Sequence, residues 1–232
     1  MRRVEEVDDL VKVKTAIISV SDKTGLERFV PDLIQINPDI TIFSTGGTHR
    51  KLLEIVGKDN PHIRDVASYI GQPETEGGLV KILDFKLFLG YLTETYCLAH
   101  QNDLKRTNAI PIDLAVFNLY PFEDIVAKPG TDYEDARMNI DIGGPSALRA
   151  AAKNWHRVTT VFDPRDYREL LLEMKNNQGC TTADARWDLQ VKVFDYTVNY
   201  DAAIRAFNKT VTAKEALACY KVHNISKSSS RK

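Results

Sequence analysis

Apolar residues in this chain recur in two rhythms. Residues 13–20 are rich in isoleucine and valine and predict a buried strand. Ser21-Asp22-Lys23-Thr24-Gly25 follows as a turn and helix start, after which Leu26, Phe29, Val30, Leu33 and Ile34 return at helical spacing. Pro31 inside that pattern calls for a kink or a fresh turn. Ile40 to Phe43 reads as a second strand, Ser44 to Thr48 as a second glycine turn, and Arg50 to Val56 as a second helix closed by Gly57. Strand and helix alternating through short links predict a parallel sheet with right-handed crossovers.

The middle of the chain is less regular. Residues 58–78 read as irregular, with Pro61, Pro73 and the pair Gly77-Gly78, and Leu79 to Leu92 fits either helix or strand. Residues 94–112 suggest a helical segment and a loop. Leu114 to Leu119 is a strand stopped by Pro121, and Val158 to Phe162 another, followed by an Asp163-Pro164 start and a helix from Arg165 to Lys175. A long helix is expected over 182–209, with Leu189, Val193, Thr197 and Tyr200 on one face. Residues 1–12 form a charged lead-in, and Ser226 to Lys232 a disordered tail.

Composition narrows the class. The 232 residues suffice for one large domain or two small ones, and 43 % hydrophobic with 27 % charged residues describes an ordinary soluble protein. Thirty-one basic and 32 acidic residues nearly cancel, which gives no sign of a nucleic-acid surface. The three cysteines, Cys97, Cys180 and Cys219, are far apart and odd in number, against a disulfide framework or a zinc ribbon. The histidines show no paired ligand spacing. No apolar run approaches the roughly 20 residues that span a bilayer, and the first residues lack the apolar core of a secretory signal. The expected setting is the cytoplasm, with reduced thiols.

Candidate chemistry sits at the turns. Backbone amides at a helix N-terminus favour an anion, and Gly46 and Gly47 permit close approach. Ser21, Thr45 and Thr48 add hydroxyls and Lys23 a charge, so a phosphorylated small molecule is the expected ligand. Neither turn is a Walker loop or a Gly-x-Gly-x-x-Gly, which disfavours nucleoside triphosphates and dinucleotides. Asn139 to Asn154 holds the densest chemistry: Asp141 just before a helix start, Gly143-Gly144-Pro145, and Lys153 about two turns in. That pair suits a ligand bound over the helix start, although a charged turn and an exposed lysine fit the same residues. Tyr120, after the strand of 114–119, either donates to a carbonyl or fills the core rim. Lys81, among Leu79, Val80, Ile82 and Leu83, either snorkels or points into a site.

Ser19 to Gly25, Ser44 to Thr48, Asn118 to Phe122 and Ile140 to Gly144, with Leu148 to Asn154, resemble the IMP cyclohydrolase domain, the N-terminal part of a bifunctional purine-biosynthesis enzyme that continues into an AICAR transformylase domain. The resemblance runs over roughly residues 14–208 in register. It implies an α/β fold like methylglyoxal synthase, a three-layer sandwich with a mostly parallel sheet holding phosphate at its edge. It assigns residues 13–209 to the cyclohydrolase-like domain and 210–232 to a C-terminal extension.

The activity it implies is dehydrative closure of FAICAR to IMP, the last step of de novo purine synthesis, with no metal or organic cofactor. By position, Lys153 matches the proton-transfer lysine, Asp141 its acidic partner, Tyr120 the tyrosine and Lys81 the second lysine. Ser21, Asp22, Lys23, Thr45, Gly46, Gly47 and Thr48 match the phosphate loops, and Phe117, Asn118 and Ile142 further ligand contacts. Members pair, so a homodimer is expected, with a separate transformylase as a possible partner and no membrane or nucleic acid.

One segment departs from the family. Where the pattern has Gly-Arg-Val-Lys-Thr-Leu-His-Pro, this chain has Gly78-Leu79-Val80-Lys81-Ile82-Leu83-Asp84-Phe85. A lost hydrogen bond to a charged group costs about 1.5–3 kcal/mol, so a catalytically impaired nucleotide-binding module is the second reading. A phosphosugar lyase like methylglyoxal synthase is a third, which leaves the Asp141 to Lys153 stretch unexplained.

Overall fold

Five strands form one all-parallel sheet in the order β4-β3-β2-β5-β6. They are β2 (Thr15–Val20), β3 (Thr41–Ser44), β4 (Ile63–Asp65), β5 (Leu114–Asn118) and β6 (Thr159–Val161). A short antiparallel pair, β1 (Val11–Lys12) with β7 (Cys180–Thr181), stands apart from it. This computed structural model describes residues 3–72, 75, 80 and 82–223.

Alternation along the strands builds two faces. Ala16, Ile18 and Val20 of β2, Ile42 of β3, and Leu114 and Val116 of β5 join one buried cluster with Leu26, Phe29, Val30 and Leu33 of α1 (Leu26–Ile36), Leu52 of α2 (Gly46–Val56), and Tyr167, Leu170 and Met174 of α9 (Tyr167–Asn176). The intervening residues Ile17, Ala115 and Phe117 are equally buried, and α8 (Gly143–Lys153) packs along β5 and β6 with α4 (Phe85–Leu92) beside it. Ala147, Ala150, Ala151 and Ala152 keep α8 narrow and buried. This is the expected layered α/β fold.

Several expectations are refined. Helix α1 continues through Pro31, which lacks the N–H for a bond to the Glu27 carbonyl. Thr45 is the N-cap of α2, so Gly46 and Gly47 are its first turn and no separate loop precedes it. The segment read as irregular contains the edge strand β4 and the helix α3 (Val66–Ile70), too short for a period to show. Leu79 to Leu92 resolves at its C-terminal end as α4, started by Asp84, whose carboxylate accepts the Lys86 N–H at 2.7 Å. The expected tail, 226–232, lies outside the described residues.

The chain divides into two units, Met1–Leu119 with Asp141–Thr197, and Tyr120–Ile140 with Val198–Lys232. The second holds α6 (Phe122–Val126), α7 (Tyr133–Met138), the end of α10 (Ala183–Thr210) and α11 (Ala213–Ala218). Phe122 is its anchor, meeting the rings of Tyr200 and Phe207 edge-on. Capping boxes start α7 and α11.

Candidate functional site

In a parallel sheet every strand points its C-terminal end to one edge, and the following helices start there. Here α1 follows β2, α2 follows β3, α3 follows β4, and α8 starts at the same edge after β5. Three of these starts lack a side-chain cap: Gly25 at α1, Thr45 at α2 and Ile142 at α8. At α1 the Leu26 N–H is taken by the Lys23 carbonyl and at α8 the Gly144 N–H by the Asp141 carboxylate, so it is the α2 start, with Gly46 and Gly47, that keeps hydrogen-bonding capacity for a ligand.

The β2 loop is clamped to the end of β5. Asp22 donates its N–H to Asn118 Oδ1 at 2.8 Å, and Asn118 Nδ2 donates back to the Asp22 carbonyl at 2.9 Å. The Asp22 carboxylate turns onto Thr24, accepting its N–H at 2.9 Å and its hydroxyl at 2.6 Å, which holds it below the usual carboxylate range. Asp22 and Asn118 thus shape the loop. Lys23 folds across it: Nζ donates to the Ser21 carbonyl at 3.2 Å, and its ε-carbon would stand 4.0 Å from a Cβ placed on Gly47. An ammonium group and an uncapped helix start therefore face the same space.

The α2 start is fixed just as closely. Thr48 Oγ1 accepts the Val20 N–H at 3.1 Å and donates to the Val20 carbonyl at 3.0 Å, while Thr45 and Ser19 pair their hydroxyls at 3.0 Å. Thr48 is buried and holds α2 against β2, so its hydroxyl is occupied where the sequence suggested a ligand donor. Phe117 is 1 % exposed, which leaves only its backbone for a ligand.

Asp141 lies before α8 and accepts the Gly144 N–H at 2.8 Å. Burial pushes its carboxyl above the usual range, against the opposing pull of the Gly144 and Gly143 amides. A Cβ on Gly144 would meet Leu119 Cδ2 at 2.5 Å and Asp141 Oδ2 at 2.7 Å, so glycine is what admits the carboxylate here. Ile142, beside it, is exposed. Ile82 is buried and would lie 2.9 Å from a Cβ on Gly143, so this departure from the family pattern packs against the α8 start. Asp84 is the α4 cap, and Phe85 is exposed.

Not every expected residue joins this edge. Lys153 is the last residue of α8, not two turns in, because the helix already starts at Gly143. At 1.5 Å per residue it stands roughly 15 Å along the axis from that start, near the opposite sheet edge. Within one chain the length of α8 therefore separates the backbones of Lys153 and Gly143. Tyr120 belongs to the second unit and is exposed. Lys81 and Leu79 lie outside the described residues.

The structure adds Tyr196 of α10, whose hydroxyl accepts the Leu119 N–H at 3.1 Å, leaving its own hydrogen to donate. Burial pushes this phenol up, with Asp141 and Asp163 close enough to add to the effect. Its ring stacks on Phe162 at 4.0 Å. Its only sequence signal was its place beside the buried stripe of a long helix.

Comparison with known proteins identifies the fold and the family. The MGS-like domain family matches residues 25–146, and the AICARFT/IMPCHase bienzyme family residues 151–231. The bifunctional purine biosynthesis protein PurH of Chlorobium phaeobacteroides is 43 % identical over 195 residues, 84 % of this chain and 36 % of the relative. PurH of Staphylococcus aureus is 41 % identical over 197 residues, 85 % of this chain and 38 % of the relative. The chain thus spans little more than a third of the length of these curated relatives. The crystal structure of ForH superposes with a TM-score of 0.70 at 28 % identity, covering 83 % of this chain and 97 % of that one. A family match through more than half of the chain, on a sheet of the corresponding kind, settles the kinship: the chain belongs to the MGS-like domain family and is homologous to the bifunctional PurH proteins.

Proposed function

We propose that this chain is an IMP cyclohydrolase, closing FAICAR to IMP with loss of water. The observation that carries the proposal is the paired arrangement at the sheet edge. An uncapped glycine helix start under Lys23 suits a monophosphate, and a half-buried carboxyl with a raised pKa stands at the start of α8. Homology to PurH over most of the chain supplies the substrate class.

In this reading the Gly46 and Gly47 amides and Lys23 hold the phosphate. The carboxamide nitrogen of FAICAR attacks its own formyl carbon, and a hydroxyl later leaves as water. Both steps need a proton moved, and an acid with a pKa nearer the working pH is suited to both. Asp141 takes a proton from the attacking nitrogen and hands it to the new alkoxide, then takes the proton of the former formamide nitrogen and hands it to the departing hydroxyl, so that a C=N bond replaces the C–O bond as water leaves. The phenol hydrogen of Tyr196 stabilises charge on the formyl oxygen. Holding both groups of one molecule in a folded conformer supplies much of the remaining acceleration. A transformylase, the other activity named in the bienzyme family, supplies FAICAR.

Purified chain given FAICAR should accumulate IMP. A binding module is favoured by the apolar Ile82 and by Asp84 serving as a helix cap, where the family pattern has polar threonine and histidine. Tight IMP binding with no turnover would establish that second reading and overturn the first.

A further inference from the structure

The opposite edge of the sheet carries a cluster that the cyclohydrolase reading does not use. Between α4 and α5 (Leu98–Thr107) the chain turns through Thr93 to Cys97, and the ligand atoms of Glu94, Cys97 and His100 lie within 4.8 Å of one another. We propose that these three side chains form a binding site for a zinc-class divalent ion, separate from the nucleotide loops.

The donor set is the first reason. Thiolate, imidazole and carboxylate are the three protein ligands of zinc, and three of them leave one position for water. The second is spacing. Ligands of a tetrahedral zinc stand roughly 3.4–3.6 Å apart when bond lengths are about 2.0–2.3 Å, so capture requires a contraction of about 1 Å at the longest edge.

The third is preorganisation, because the turn is held by groups outside the cluster. Asn154 Nδ2 donates to the Thr93 carbonyl at 3.0 Å and Arg157 Nε at 2.9 Å. Gln101 Nε2 donates to the Glu94 carbonyl at 2.8 Å, and the Glu94 N–H donates to His100 Nδ1 at 3.1 Å, which fixes the ring and leaves Nε2 as the nitrogen for an ion. Cys97 is buried while His100 is about a third exposed, so the thiol is sheltered and the ion has a way in. The spacing of three and three across a turn gathers a mixed set that a search for paired histidines or cysteines passes over.

The test is a cobalt titration of the metal-free full chain, followed by zinc. One equivalent of cobalt should give tetrahedral d–d bands with a thiolate-to-cobalt charge-transfer band, and zinc should displace both. Cys97→Ser should abolish the charge-transfer band. His100→Ala should weaken cobalt binding by at least about a hundredfold, more than loss of an outer-shell partner costs. Cys180→Ser should leave the spectrum unchanged. Circular dichroism checks folding, and if Cys97→Ser fails to fold, the partly exposed His100 carries the test. A charge-transfer band that survives Cys97→Ser, unchanged affinity in His100→Ala, or no thiolate band in the unaltered chain would each overturn the proposal. None of these readouts depends on cyclohydrolase turnover.

Discussion

The two edges of the parallel sheet use their polar groups in opposite ways. At the N-terminal edge, Asp113 before β5 accepts the Lys14 and Thr15 amides at 2.9 Å each and faces Arg157 Nη1 at 3.4 Å. Arg157 also donates to the carbonyls of Gly90, Tyr91 and Thr93. Arg186, fully buried, donates to the carbonyls of Asp8, Asp9, Trp155, His156 and Thr181. Both guanidinium groups are engaged by the protein's own groups, mostly backbone carbonyls. At the C-terminal edge the balance reverses: the α2 start has no side-chain cap at its Gly46 and Gly47 turn, and Lys23 reaches a single carbonyl oxygen of its own loop. Cations at one edge hold the fold, and donors at the other remain for a ligand.

Substitutions that separate turnover, stability and binding test this contrast. The largest effect is expected for Asp141→Asn, which keeps an oxygen for the Gly144 N–H but loses the proton carrier. Its kcat should fall by about 10²–10⁴-fold, the range of general acid–base catalysis, with KM little changed. The raised pKa of Asp141 also sets a pH dependence. The stability gained by protonating this half-buried group is fully present below the ordinary aspartate pKa of about 3.9 and is lost as pH rises through the raised value. Unfolding midpoints of the unaltered chain, compared with Asp141→Asn, should therefore rise as pH falls through that window, while the acid limb of its kcat profile lies above an ordinary aspartate's.

Next comes Arg157→Met, which leaves the buried Asp113 without its cation. Breaking such a pair costs about 3–5 kcal/mol, readable by urea unfolding, and IMP affinity of the folded fraction should not change. Lys23→Met should do the reverse: IMP binding weakens by roughly 10–100-fold, the equivalent of about 1.5–3 kcal/mol for a charged hydrogen bond, and the unfolding midpoint stays put. The smallest effect is expected for Lys153→Ala, since Lys153 closes α8 far from Asp141. Its kcat should fall far less than that of Asp141→Asn. An equal loss would mean that Lys153 of a second copy completes the site.

Much of this was legible in the sequence where a local pattern decides the structure. The isoleucine and valine runs marked β2 and β3, and the glycine turns marked the α2 and α8 starts, because glycine positions follow from steric limits on the backbone itself. Helix α3 and strand β4 were not legible, since three to five residues hold too little period and tertiary pairing fixes them. Lys153 was read as about two turns into its helix, but α8 starts at Gly143, ten residues earlier, which sets Lys153 nearly three turns along. Thr48 was read as a ligand donor, and only its contact with Val20, 28 residues away in sequence, reveals its structural role. Tyr196 and the Glu94, Cys97 and His100 group depend on contacts between elements, which no spacing rule displays.

The central claim is that a nucleotide monophosphate sits on the α2 start beneath Lys23. An amide-resolved NMR titration of the unaltered chain with IMP tests it most directly. The account predicts that the Gly46 and Gly47 amides shift most, with saturation at one equivalent, and that Lys23→Met suppresses those shifts. Shifts concentrated around Arg157 and His100, with Gly46 and Gly47 unmoved, would contradict it.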